Sequence, residues 1–154
     1  MRVRFSLNGR PLDTDTEPGR TLLEYLRAHG IYSVKYGCDH GECGTCTVLV
    51  DGKAQNACLT LMHTVQDKRV ETLEMLEQRA GLAPVQEMFL EEGALQCGYC
   101  TPGMILSVEA LLRENPAPGE AEIRDALAGN LCRCTGYVKP VGAVVKLVAG
   151  REGR

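Results

Sequence analysis

Apolar and polar residues alternate from the start of the chain. Val3, Phe5 and Leu7 share one face of a strand over Arg2–Leu7, the period-2 pattern of a half-buried strand. Asn8-Gly9 follows, a strong two-residue hairpin signal, and a second short strand is expected over Leu12–Asp15. Leu22, Leu23 and Leu26 then fall on one face of a helix over Leu22–His29, with Thr21 as its cap and Gly30 as its stop. Thr47–Val50, the turn Asp51-Gly52 and Lys53–Ala57 read as another hairpin, and Val70–Leu73 as a last strand. A small mixed sheet with one helix packed on it is the expectation for this part.

From about residue 77 the apolar period becomes helical, over Pro84–Glu92, Gly103–Glu114, Glu120–Ala128 and Val141–Ala149. The break Asn115-Pro116-Ala117-Pro118-Gly119 makes the middle pair an αα-hairpin. A boundary near Leu76–Gly81 divides the chain into 1–76 and 77–154, and Gly150–Arg154 reads as a loose tail. The fold class is therefore α+β.

Charge adds little. Seventeen Lys and Arg against 20 Asp and Glu in 154 residues leave a net charge of −3, which gives no footprint for nucleic acid or an anionic membrane. The longest uncharged stretch, Gly93–Val108, is broken by Gln96, Thr101, Pro102 and Ser107 and falls short of the ~18 apolar residues of a membrane span. Its surroundings make it either a partner-facing surface or ordinary interior, the latter for Met104, Ile105 and Val108 above all. The opening residues MRVRFSLNGRPLDTDTEPG contain no apolar core of a secretory signal. A cytoplasmic location is expected, with an exported chain already trimmed of its signal as the alternative. Two Phe, five Tyr and no Trp leave few large side chains for a core.

The 8 Cys change the picture. In a chain without a secretory signal they point to metal rather than disulfides. They split four and four across the expected boundary. Cys38, Cys43 and Cys46 have C-x4-C-x2-C spacing with Cys58 further on, the plant-type [2Fe–2S] pattern. Gly37, Gly41 and Gly44 give the backbone the freedom to wrap a small cluster and let N–H groups approach the sulfurs. The alternatives are zinc or a pair of disulfides. Zinc usually shows paired C-x2-C knuckles, and only Cys43 and Cys46 make one. A Rieske centre fails, because Cys46 stands where a second His pair is needed; His40 and His63 are then surface residues.

The second set is Cys97-x2-Cys100 with Cys132-x-Cys134. In an antiparallel αα-hairpin, the start of the 103–114 helix and the end of the 120–128 helix lie together, so these four sulfurs can converge. The helix N-terminus would turn its N–H groups toward an anionic cluster, and Arg133 is either a nearby cation or a solvated side chain. Spacing alone leaves zinc open here. A thioredoxin-like pair is disfavoured, since no βαβ context surrounds Cys97-Gly98-Tyr99-Cys100.

The motifs YGCDHGECGTCTV, LQCGYCTPGM and GNLCRCTGY together resemble the small iron–sulfur subunit of the molybdenum hydroxylases, a family that includes xanthine dehydrogenase, aldehyde oxidoreductase, carbon monoxide dehydrogenase and 4-hydroxybenzoyl-CoA reductase. The likeness runs from the first hairpin to about Val148, and the segment SVEALLRENPAPGEAEIRDALAGNLCRCTGYVK is similar to subunits acting on aromatic or heteroaromatic substrates. The resemblance implies a β-grasp ferredoxin-like domain followed by a four-helix bundle domain, each with one [2Fe–2S] cluster. It implies that Cys38, Cys43, Cys46 and Cys58 hold the cluster nearer a flavin, and that Cys97, Cys100, Cys132 and Cys134 hold the one nearer molybdenum. Gln96 and Cys134 would approach the molybdopterin of a partner. The implied partners are a large molybdopterin-binding subunit and a medium FAD-binding subunit, as a dimer of heterotrimers.

No G-x-G-x-x-G or P-loop pattern and no Ser/His/Asp or Cys/His set is visible, so chemistry is expected on the partners, with this chain as their non-catalytic electron carrier. The rivals are a freestanding two-cluster ferredoxin shuttling electrons between soluble partners and a zinc-stabilised interaction module.

Overall fold

The computed structural model describes residues 1–77 and 81–152. Strands β1 (Arg2–Leu7) and β2 (Arg10–Asp15) pair antiparallel through Asn8-Gly9, whose φ values of 50° and 80° are those of a type I′ turn. Helix α1 (Leu22–Ala28) starts at a complete capping box, in which Glu24 N–H donates to the Thr21 hydroxyl and Thr21 N–H donates to the Glu24 carboxylate. Strands β3 (Thr47–Val50) and β4 (Lys53–Asn56) form the second hairpin, and β5 (Arg69–Glu71) closes the sheet in the order β2-β1-β5-β3-β4. The β1–β5 pair is parallel and the others antiparallel. Leu22, Leu26, Val48, Met62 and Val65, all 0% exposed, fill the space beneath the sheet.

Five further helices follow: α2 (Leu73–Glu77), α3 (Pro84–Glu91), α4 (Thr101–Glu114), α5 (Glu120–Ala128) and α6 (Val138–Glu152). Helices α3 to α6 pack in the pairs α3–α4, α4–α5, α5–α6 and α3–α6 around Phe89, Met104, Val108, Ile123, Leu127 and Val144. The whole is a mixed α/β protein with one five-stranded sheet and six α-helices among the described residues. No described helix is long and apolar enough to cross a membrane.

Three differences from the expected elements have physical causes. Leu73 opens α2 rather than ending the last strand, because it and Leu76 reach into the helical core. Leu73 and Leu76 thus belong to the helical core, and of the expected boundary segment Leu76–Gly81, residues 78–80 lie outside the described residues. Helix α6 starts at Val138, three residues early, since Pro140 is tolerated in a first turn whose N–H groups lack intrahelical partners. At the other end Gly150–Glu152 continue α6 instead of forming a tail; residues 153 and 154 lie outside the described residues.

The two units meet along one seam. Helix α4 packs on β3 and β4, and Arg113 of α4 donates to Glu71 of β5. Close to the cysteines, Leu131 N–H donates to the Cys43 carbonyl at 2.9 Å.

Candidate metal centres

The first set of cysteines lies in the loop between α1 and β3, with Cys58 just beyond β4. Gly37 is required here by space: a Cβ would stand 2.6 Å from both the Cys43 sulfur and the Thr45 hydroxyl. Cys43 N–H donates to the Cys38 sulfur at 3.4 Å. N–H groups of His40 first, then Cys43 and Glu42, draw the Cys38 thiol down to about 6. Burial instead pushes Cys46 up to about 12, with the Cys58 thiol beside it. The sulfurs therefore meet as two pairs, Cys38 with Cys43 and Cys46 with Cys58, and Cys46 also feels Cys43.

The second set joins the ends of four helices. Cys97 follows α3 by a short loop, Cys100 is the residue before α4, and Cys132 and Cys134 lie between α5 and α6. The Cys134 and Cys97 sulfurs are 3.6 Å apart, and their hydrogen bond raises the Cys134 thiol above its ordinary range. Burial raises Cys100 to about 12, with Cys132 as its neighbour. Burial also opposes ionisation of Cys132, but the Thr135 hydroxyl, 3.1 Å from its sulfur, and the Thr135 N–H more than offset this and lower it. Again there are two pairs, Cys97 with Cys134 and Cys100 with Cys132.

None of the eight cysteines forms a disulfide. Among the described residues no three His, Cys, Asp or Glu side chains converge to hold one metal ion. Paired thiols suit a two-iron cluster, since each of its irons takes two protein ligands. The donor chemistry therefore fits [2Fe–2S]. Cys46 and Cys100 must lose protons to serve as ligands, so loading releases protons.

The other expected residues are placed as follows. Gln96 is exposed and donates from Nε2 to the Cys134 carbonyl at 3.2 Å. Arg133 is exposed, as are His40 and His63, with His40 3.7 Å from Glu42. Met104, Ile105 and Val108 are interior, while Tyr99, 46% exposed, donates from its hydroxyl to the Tyr36 carbonyl at 2.6 Å. Sequence reasoning missed Thr135 and Asn130. Both stand in the motif GNLCRCTGY, beside its thiols.

Two family models match, a 2Fe-2S iron-sulfur cluster binding domain over residues 5–81 and a [2Fe-2S] binding domain over 72–145. The nicotinate dehydrogenase small FeS subunit of Eubacterium barkeri is 47% identical over 94% of this chain and 92% of its own length. The xanthine dehydrogenase iron-sulfur-binding subunit of Escherichia coli O157:H7 is likewise 47% identical over 94% and 92%. Among solved structures, quinoline 2-oxidoreductase from Pseudomonas putida 86 superposes with a TM-score of 0.92 at 41% identity, over 99% of this chain and 97% of that one. Fold, paired thiols and family models together define an iron–sulfur protein with two [2Fe–2S] clusters. The chain belongs to the small iron–sulfur subunits of the molybdenum hydroxylases and is an electron-transfer component of that oxidoreductase family.

Proposed function

We propose that this chain carries single electrons between a molybdenum cofactor on a large subunit and FAD on a medium subunit, within a dimer of heterotrimers in the cytoplasm. The observation that carries the reading is the division of the eight thiols into two sets on either side of one seam, with Cys43 N–H on the Cys38 sulfur in the first and the Cys97 and Cys134 sulfurs 3.6 Å apart in the second. Cys38, Cys43, Cys46 and Cys58 hold the first cluster in a β-grasp ferredoxin-like domain over 1–76. Cys97, Cys100, Cys132 and Cys134 hold the second in a four-helix bundle domain over 77–154. Each [2Fe–2S] cluster, when bound, supplies a one-electron carrier whose potential responds to burial and to hydrogen bonds on its sulfurs.

The rest is done by the protein. The His40, Cys43 and Glu42 N–H groups stabilise the Cys38 thiolate, and Thr135 does the same for Cys132. The buried Cys46 and Cys100 would hold their clusters on the side away from water. Gln96 and Cys134, exposed and joined by a hydrogen bond, face the molybdopterin of the large subunit. The chain itself is non-catalytic. The relatives above are named for nicotinate, xanthine and quinoline, which favours an N-heterocyclic compound as substrate of the complex, with other aromatic, purine or aldehyde compounds in the same range.

Native purification tests this. Co-purification with molybdopterin- and FAD-bearing chains, and two distinct paramagnetic signals on reduction, are expected. A chain that purifies alone with both clusters is a freestanding ferredoxin, and a colourless zinc protein overturns the iron–sulfur reading as well.

A further inference from the structure

Between the two cysteine sets lies a side chain that belongs to neither. Asn130 is 2% exposed and sits two residues before Cys132. Its Nδ2 donates to the Gly44 carbonyl at 2.9 Å and to the Thr47 hydroxyl at 3.2 Å, across 86 and 83 residues of chain. Its Oδ1 accepts from the Ser107 hydroxyl of α4 at 2.7 Å. The Gly44 carbonyl can only accept, so the amide has one satisfied orientation.

Each of the segments Asn130 joins adjoins a cysteine. Gly44 follows Cys43, Ser107 lies on the helix that starts after Cys100, and Asn130 itself leads into Cys132. The backbones around it touch. A Cβ on Gly44, at φ +66°, would stand 2.1 Å from the Gly129 carbonyl oxygen, and one on Gly103 would stand 2.4 Å from the Gly44 carbonyl oxygen. Leu131 N–H closes the arrangement on the Cys43 carbonyl. A buried amide with every hydrogen-bonding group engaged specifies one arrangement of its neighbours, whereas an unpartnered one costs stability.

We propose that Asn130 is a positioning residue that locks the two cluster-binding segments in one register and thereby fixes the distance and coupling between the two clusters. This rests on the assignment of the two cysteine sets to two clusters, given above. It uses no group that ligates iron.

The test compares Asn130→Ala and Ser107→Ala with the parent, each in the assembled complex. Three quantities are read: iron content with both paramagnetic signals, the spin–spin interaction between the reduced clusters, and the rate at which they exchange an electron. In Asn130→Ala both signals persist while the spin–spin interaction weakens. Exchange slows several-fold in the same variant, in step with the weakened spin–spin interaction. Ser107→Ala, which frees only Oδ1, shifts both readouts in the same direction by less. A residue that merely adds stability would lower the melting temperature and leave both unchanged, and that result, with both clusters retained, overturns the proposal. If Asn130→Ala loses a cluster, Ser107→Ala decides by the same readouts. If the parent itself lacks two signals, the assignment of the cysteine sets fails instead.

Discussion

The two cysteine sites reach the same donor chemistry by opposite routes. The first is a loop: three of its thiols lie within nine residues of chain, and glycines let the backbone wrap around them. The second is an assembly: Cys97 and Cys134 come from loops 37 residues apart, and only the packing of α3 to α6 brings their sulfurs to 3.6 Å. In the first site the buried members are Cys46 and Cys58; in the second Cys97 and Cys134 are exposed and only Cys100 is buried. A site made by a local loop depends on its own residues, whereas a site made by helix ends depends on a whole core. Metal binding contributes to folding in both, but removing support should damage them differently.

The largest effect comes from removing a thiol. Cys43→Ser is expected to abolish one paramagnetic signal and largely spare the other, because the thiols of the second set come from different elements of the chain. Simultaneous loss of both signals in a chain that stays folded, as judged by circular dichroism, would break the four-and-four division.

Next in size is damage to a core. Ile123 is 1% exposed among the helices, and Ile→Ala in such a position costs about 2–5 kcal/mol. On gentle heating of Ile123→Ala the second signal should disappear first. Leu26→Ala, at a 0% exposed position beneath the sheet, should reverse the order. The same order of loss in both variants would mean that the two cores melt as one unit.

The same contrast explains what was legible in the sequence. Asn8-Gly9 and Asp51-Gly52 carry their turns locally, and their φ values of 50° and 80°, 50° and 83° follow from residue type. Helix α5 runs over Glu120–Ala128 as its pattern predicts, bounded by Gly119 and Gly129. The spacing of the first cysteine loop was readable for the same reason. How the second set's sulfurs pair was not, because it depends on which helix ends meet. Helix α2 was missed because five residues hold too little periodicity, and its two leucines answer to a core formed later in the chain. Asn130 is the extreme case: a single polar residue gains its role from partners 23 and 86 residues away.

The smallest predicted effect concerns how the first loop is held. Glu74, in the first turn of α2, accepts from Ser33 N–H at 3.1 Å, from the Ser33 hydroxyl at 2.6 Å and from the Thr72 hydroxyl at 2.6 Å. It thus ties the segment leading to Cys38 to a helix of the other core. Burial pushes its carboxyl up, but the Ser33 and Thr72 hydrogen bonds outweigh this and hold it below its ordinary 4.5. A carboxylate depressed on folding stabilises fully above its unfolded value and loses that contribution as pH falls through the folded one. The parent should therefore exceed Glu74→Gln in urea midpoint at neutral pH, and the gap should close below about pH 4.5. Acid lability common to both proteins cancels in that difference. A gap that stays constant down to pH 3.5 would show that the tether acts through shape rather than charge, which would bring the first site closer to the second in depending on packing alone.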